Sequence, residues 1–86
     1  MSRYTVVSVP EAENELASIW LDDMDREQVS AAANAADHLL ADNPLQDSVY
    51  LSEQLRRRDI PPLRFYFEVR EEDRVVVISN VTRLPD

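Results

Sequence analysis

The pattern of apolar and polar positions divides the chain into a strand, two helices and a group of strands. Residues 3–9 are rich in Tyr, Thr and Val, which favours a strand. Pro10 suits the first position of a helix, because its φ is fixed and it has no N–H to leave unpaired. This predicted helix runs to about Asp22. We expect its apolar face to lie in the core, formed by Ala12, Leu16, Ile19 and Trp20.

A second helix is predicted after the aspartate-rich segment that ends the first. Asp25 and Gln28 resemble a capping box that opens it. Asn43-Pro44 ends it, because the residue before a proline avoids the α region. Its apolar face consists of Val29, Ala32, Ala33, Ala36, Leu39 and Leu40. Since most of these side chains are small, we expect the two helices to approach closely as an antiparallel hairpin.

The rest of the chain has the pattern of strands. Residues 55–60 form a plausible strand that two prolines stop, and residues 63–70 alternate so that one face is apolar and the other polar. Residues 74–82 are apolar on both faces, which is typical of a central strand. The turn at 71–73 contains no glycine, so a tight type I′ turn is not expected. Residues 49–51 fit either a short strand or an extended loop.

These elements predict one α+β domain over residues 1–86, in the order β-α-α-β-β-β, with a helical hairpin packed on a small antiparallel sheet. No apolar run is long enough to cross a membrane and no signal peptide is recognisable, so we expect a cytoplasmic protein. The absence of glycine excludes the glycine-rich loops that bind nucleotide phosphates. No cofactor is therefore predicted.

Charge is distributed unevenly along the chain, whose net charge is −8. Residues 1–55 contain two arginines and eleven acids, whereas residues 56–86 contain seven arginines and six acids. We therefore expect any anion-binding surface in the second half. The only basic cluster is Arg56-Arg57-Arg58, for which we predict docking of an acidic protein segment in preference to contacts with the phosphates of a nucleic acid. The alternative is a solvated edge strand guarded by its charges.

Candidate metal ligands and acid–base groups are few. His38 is the only histidine and is expected to face solvent, four residues from Asp42. Two such groups do not make a metal site, which normally needs three or four ligands. The acids of the first helix fit helix-dipole and capping roles, and the glycine-containing calcium loop is missing. No metal is therefore predicted.

Several segments resemble the RelE/ParE superfamily of bacterial toxins. The sequence YTVVSVPEAE at residues 4–13 resembles the family's first strand and helix start. The sequence IPPLRFYFEV at residues 60–69, followed by an acidic turn and a valine-rich strand at residues 71–76, resembles the family's central hairpin. Leu55-Arg56-Arg57 matches a leucine followed by basic residues. The resemblance covers nearly the whole chain, and it implies a toxin of a type II toxin–antitoxin module, a class linked to plasmid stabilisation.

The resemblance also implies activities and a partner. RelE-like members cut messenger RNA on the ribosome without a metal, using arginines, lysines and a C-terminal tyrosine or histidine. ParE-like members inhibit DNA gyrase, and a small antitoxin neutralises both kinds. Arg64 matches the arginine that acts at the scissile phosphate, and Arg83 lies where a second catalytic arginine follows the last strand. The chain has no lysine, and neither tyrosine nor histidine follows Arg83.

Three hypotheses follow. The first is a toxin-like protein that acts mainly by protein binding and is held by a cognate antitoxin. The second is a metal-independent endoribonuclease in which Arg64 and Arg83 stabilise charge on a phosphate, and Tyr66 stacks on a base or aids proton transfer. The third is a non-toxic homodimeric interaction domain that pairs through an uncovered sheet edge. In the simplest alternative, Arg64 pairs with an acid such as Glu68 or one on a neighbouring strand, and Tyr66 packs against a neighbouring strand.

Overall fold

The computed structural model describes residues 3–85, which form two helices and one five-stranded sheet. The elements in chain order are β1 (Thr5–Ser8), α1 (Pro10–Asp22), α2 (Arg26–Asp42), β2 (Val49–Ser52), β3 (Leu55–Ile60), β4 (Leu63–Arg70) and β5 (Val75–Arg83). The α+β class and the helical hairpin are confirmed. Neither α1 nor α2 has the length and apolar character needed to span a membrane.

The sheet is mixed, which corrects the expectation of a wholly antiparallel one. The strand order is β1-β5-β4-β3-β2, and β1 runs parallel to β5, with Thr5 opposite Val75 and Ser8 opposite Ile78. The other pairs of neighbouring strands are antiparallel. Parallel pairing needs a long connection, and residues 9–74 supply it. The ambiguous segment at residues 49–51 belongs to β2, at the edge beside β3.

The core lies between the two helices and one face of the sheet. On β4, Leu63, Phe65 and Phe67 are buried, while Arg64 and Tyr66 alternate with them, as the sequence pattern predicted. The other buried apolar side chains of this cluster come from α1, α2 and β5: Ala12, Val29, Ala32, Ala36, Leu40, Val76, Ile78 and Val81. Alternation along β4 therefore gives the sheet one face that is packed against helices and one that is not.

Two residues predicted to lie in the core are at the surface. Trp20 is 39% exposed, and its Nε1 donates a hydrogen bond to Ser30 Oγ on α2 at 3.1 Å. Leu39 is 38% exposed, whereas Leu40 is completely buried. An α-helix turns by about 100° per residue, so only one of two adjacent residues can point at the sheet. Trp20 and Leu39 each lie at the edge of the apolar face of their helix, which is why the prediction of burial was wrong for both.

Local polar contacts fix the helix ends and turns. Asp25 Oδ1 accepts the N–H of Gln28 at 3.2 Å, which confirms the predicted N-cap of α2. The β4–β5 turn closes through a hydrogen bond from Arg74 N–H to Glu71 O at 3.3 Å. Residues 71–74 separate the two strands and Arg74 adopts a positive φ of 54°, so the turn is not the two-residue type I′ turn, as expected.

Glu15, one of the acids predicted to act on the helix dipole, also contacts β5. Glu15 Oε1 accepts the N–H of Val81 at 2.9 Å, and the same carboxylate contacts Asn80 Nδ2. β1 pairs with β5 only as far as Ile78, so Val81 lies on a part of the strand edge that β1 does not cover. The carboxylate of α1 therefore satisfies a strand-edge donor that no backbone carbonyl of β1 reaches.

Candidate functional site

The face of the sheet opposite the helices carries several of the candidate residues. The register of β3 and β4 places Arg57 opposite Tyr66 and Asp59 opposite Arg64. Directly opposite residues share a face, and residues two apart on a strand also share a face. Arg57, Asp59, Arg64 and Tyr66 therefore form a group of four side chains, the open-face quartet.

Asp59 holds Arg64 in a two-point ion pair. Arg64 Nε lies 2.7 Å from Asp59 Oδ1, and Nη2 lies 3.2 Å from Oδ2. Hydrogen bonds to Asp59 first, and to Tyr66 second, raise the pKa of Arg64. The hydrogen bond from Arg64 lowers the pKa of Asp59 below its ordinary value. This is the cross-strand pairing that the sequence analysis gave as the simplest alternative for Arg64.

The charged groups of the quartet have pKa values far from neutrality. General-base catalysis at neutral pH requires a group whose pKa lies near 7, and the one carboxylate here has a lowered pKa. His38 is exposed on α2, on the other side of the sheet. Residues 3–85 contain no group of three or more potential ligands suited to a metal ion. Guanidinium groups beside an aromatic ring are suited to binding carboxylates, phosphates or a protein surface.

The strand β3 divides the arginine cluster that the sequence presents as one patch. Arg57 belongs to the open-face quartet. Arg56 pairs with Phe67 and Arg58 pairs with Phe65, so both of these arginines lie on the face that the helices cover. Adjacent residues of a strand point to opposite faces, which a run of identical letters in the sequence conceals. The three guanidinium groups therefore do not form a single basic surface.

Arg56 and Arg58 are engaged by the segment that joins α2 to β3. Arg56 Nη1 donates to Ser48 Oγ at 3.1 Å, and its guanidinium carbon lies 5.6 Å from the centroid of the Tyr50 ring. The side chain of Arg58 is only 10% exposed and lies 3.7 Å from Asp47 Oδ2. Both arginines therefore help to position the loop before β2.

Arg83 lies on the side of the sheet away from Arg64. Arg64 pairs with Thr82, whereas Arg83 pairs with the buried Leu63. Arg83 Nη1 lies 2.6 Å from Oδ2 of Asp23 in the loop between the helices. The structure therefore does not bring Arg64 and Arg83 together at one site.

Two hollows flank the β3–β4 hairpin. A small one of about 110 Å³ lies beside the quartet and is lined by Asp47, Val49, Arg57 and Asp59. A larger one of about 820 Å³ lies at the opposite end of the hairpin, against the β4–β5 turn. Its lining includes the acidic residues Glu53, Glu68, Glu71, Glu72 and Asp73. Arg56 and Arg70 also line it, so the larger hollow has more acidic than basic side chains and is separate from the quartet.

We expect the pKa of Asp59 to lie below that of an ordinary aspartate and to rise in an Arg64→Gln variant. Because the folded-state pKa is lower than the unfolded value near ~3.9, the stabilisation from this pair is fully present above that value. It is lost as the pH falls through the folded-state pKa. A carboxyl NMR titration of Asp59 measures this, with Arg70→Gln as the matched control. Identical titration with and without Arg64 would contradict the ion pair.

Comparison with known proteins identifies the fold. No protein-family model matches the chain, and no curated protein matches it. A chain of the RelBE2 toxin–antitoxin complex of Mycobacterium tuberculosis superposes with a TM-score of 0.83 at 21% identity, over 100% of this chain and 97% of that chain. A chain of the chromosomal ParDE system of P. aeruginosa gives 0.70 at 16% identity, over 96% and 98%. The isolated E. coli RelE toxin gives 0.63 at 16% identity, over 96% and 86%. The fold is therefore that of the RelE and ParE toxins, as the sequence resemblance predicted.

Proposed function

We propose that this chain, which has the RelE/ParE toxin fold, is the toxin-like component of a type II toxin–antitoxin pair and acts mainly by protein binding. The observation that carries the proposal is the match to a chain of RelBE2 at a TM-score of 0.83 over the full length of both chains, to within a few residues. RelBE2 is a toxin–antitoxin complex, which supports a cognate antitoxin as the partner of this chain.

The open-face quartet supports binding over RNA cleavage. Arg64 is already paired with Asp59, and Arg83 contacts Asp23 on the other side of the sheet. Stabilising the charge of one phosphate in a transition state needs donors that converge on it. These two arginines diverge, so the arrangement does not favour the endoribonuclease hypothesis.

The overall charge favours a protein target over messenger RNA. The net charge of −8 repels nucleic acid at long range, and only one residue of the arginine cluster reaches the open face. Among the targets that the family resemblance implies, DNA gyrase is therefore preferred to ribosome-bound messenger RNA. Arg57, Arg64 and Tyr66 are the residues through which we expect the target to be bound.

Growth of a bacterial host after tightly controlled induction tests the proposal. We expect the native chain to arrest growth and an Arg64→Ala variant to restore it, because the variant removes the central cation of the quartet. Arg3→Ala is the matched control, since Arg3 precedes β1 and forms an exposed ion pair at 3.9 Å with Asp42, the last residue of α2. The control variant should arrest growth as the native chain does. Circular dichroism of each purified protein establishes that the variants are folded.

Transcript integrity and DNA supercoiling in the arrested cells distinguish the mechanisms. Intact transcripts with altered supercoiling support a protein-binding toxin that acts on gyrase. Cleaved transcripts that require Arg64 would instead establish the endoribonuclease. Normal growth with soluble, folded native protein would refute the active toxin in that host.

One observation supports the homodimer hypothesis. β2 lies at the edge of the sheet, and Val49, Tyr50 and Leu51 on it are all exposed. An exposed apolar edge strand is a template for pairing with another strand. If the native chain leaves growth unchanged, this edge is the surface through which a homodimeric scaffold would form.

A further inference from the structure

The segment that joins α2 to β3 adds an outer strand to the sheet without burying its own side chains. Pro44 is fully buried and anchors the start of the segment. From residue 45 to residue 54, every side chain is exposed except that of Ser48, which is half-buried. Regions with few buried apolar contacts open at a lower free energy than the core does. We call residues 45–54, which include β2, the outer strap.

The outer strap meets the sheet through a short and irregular pairing. Among the strands of residues 3–85, β2 pairs with β3 alone, and the register shifts between Tyr50 and Ser52. The turn that returns the chain to β3 consists of Glu53 and Gln54, whose φ values are 43° and 77°. Both residues occupy the left-handed region, which glycine and asparagine adopt more readily than glutamate and glutamine. The turn therefore stores strain that opening of the strap releases.

Two arginines of β3 fasten the outer strap through their side chains. Arg56 donates to Ser48 Oγ at 3.1 Å, and its guanidinium group lies over the ring of Tyr50. Arg58 lies 3.7 Å from Asp47, a long ion pair whose carboxylate is 73% exposed and which therefore holds the strap weakly. The strap in turn shields Arg58, whose side chain is only 10% exposed.

The compositions of β2 and β3 are the reverse of what their positions in the sheet require. The outermost strand of a sheet is normally protected from unwanted pairing by charged residues. β2 has the sequence VYLS and carries no charge, whereas β3 has the sequence LRRRDI and carries four charged residues. β3 is therefore suited to be the edge of the sheet, which it becomes whenever β2 leaves it.

We propose that the outer strap opens as a unit while the other four strands stay paired, and that its opening uncovers a cationic edge on β3. In the closed state the strap covers the outer edge of β3 and engages Arg56 and Arg58. In the open state both guanidinium groups lose these partners and become accessible, together with the edge backbone groups of β3. The strap thus controls when the sheet presents this edge. The inference goes beyond the proposed function and is independent of growth arrest.

Hydrogen exchange of the purified protein measures the opening of the strap. The amides that bond across β2 and β3 are compared with those that bond across β3 and β4. We expect the first set to exchange at least about a hundredfold faster, through an opening that hardly depends on low concentrations of urea. Gln54→Gly should slow exchange of the first set about fivefold, because glycine adopts a positive φ without steric cost. Arg74→Gly, the matched control at a φ of 54° in the β4–β5 turn, should not slow it.

Chemical modification measures how accessible the shielded arginine is. The protein is treated with phenylglyoxal, which reacts with exposed guanidinium groups, and mass spectrometry gives the rate at each arginine. We expect Gln54→Gly to slow modification of Arg58 about fivefold, in step with the exchange of the β2–β3 amides. Arg70, whose side chain is 54% exposed, is the internal reference and should react at an unchanged rate. Ser48→Ala removes the acceptor for Arg56 and should speed modification of Arg58 about threefold.

Three results would overturn the proposal. Equal exchange rates for the two sets of amides would show that β2 opens only together with the rest of the sheet. Equal slowing by Gln54→Gly and Arg74→Gly would show a general stabilisation of the domain. An unchanged rate at Arg58 in a variant with slowed exchange would show that the strap does not shield this arginine. Growth arrest by a protein whose strap stays closed refutes the strap and leaves the proposed function standing; opening without arrest does the reverse.

Discussion

Leu40→Ala is expected to lower the free energy of unfolding by about 2–5 kcal/mol, and Leu39→Ala by less than about 1 kcal/mol. Leu40 is fully buried between α2 and the sheet, whereas its neighbour Leu39 is 38% exposed. Both substitutions remove the same atoms from the same helix and introduce the same strong helix former. The difference between the two losses of unfolding free energy therefore measures the effect of burial alone. Urea denaturation followed by circular dichroism measures it.

The size of the loss has a practical consequence for this measurement. Domains of this kind have a free energy of unfolding of roughly 5–15 kcal/mol, so Leu40→Ala removes a large fraction of it. The experiment is therefore done at low temperature, where a folded baseline remains. Equal losses for Leu39 and Leu40 would contradict the orientation of α2 on the sheet.

Arg83→Leu is expected to lower the free energy of unfolding by about 1–3 kcal/mol. The variant leaves the Asp23 carboxylate, which is only 8% exposed, without the guanidinium that lies 2.6 Å from it. Desolvated charges that lose their partner are more costly than exposed ones. Arg70→Leu serves as the matched control, since the Arg70–Glu68 pair is more exposed, and its loss should be smaller. Thermal and urea unfolding measure both variants.

A double-mutant cycle separates this ion pair from other effects of replacing Arg83. Asp23→Leu combined with Arg83→Leu should cost less than the sum of the two single variants, because the double variant leaves no unpaired charge. Strict additivity would show that the two side chains act independently. It would also remove the argument that Arg83 ties the end of β5 to the loop between the helices.

Local patterns were sufficient to predict most of the fold. The alternation along residues 63–70 identified the buried and open faces of β4, and Asp25 with Pro10 marked helix starts that the structure confirms. The parallel pairing of β1 with β5 was not predicted, because it joins segments at opposite ends of the chain. No short-range pattern encodes which edge of a sheet a distant strand will use.

For the candidate site, too, some contacts could be predicted from the sequence and others could not. That Arg64 pairs with an acid was available from the sequence, but the acid named was Glu68, whereas the two-residue turn at Pro61-Pro62 sets Asp59 opposite Arg64. The contact of Arg83 with Asp23 was not, because it depends on how the hairpin of helices sits against the end of β5. The acids of α1 were predicted to act on the helix dipole, and only the packing reveals that Glu15 also accepts a hydrogen bond from Val81 of β5.

The position of β5 in the sheet affects how the chain folds while it is being synthesised on the ribosome. β5 is synthesised after the other four strands of this sheet, yet it lies between β1 and β4 and pairs with both. Until residues 75–83 have left the ribosome, β1 has no strand to pair with and the core lacks Val76 and Ile78. A nascent chain therefore cannot assemble this sheet strand by strand as it emerges. We expect the activity of the folded domain to begin only once residues 75–83 are free of the ribosome.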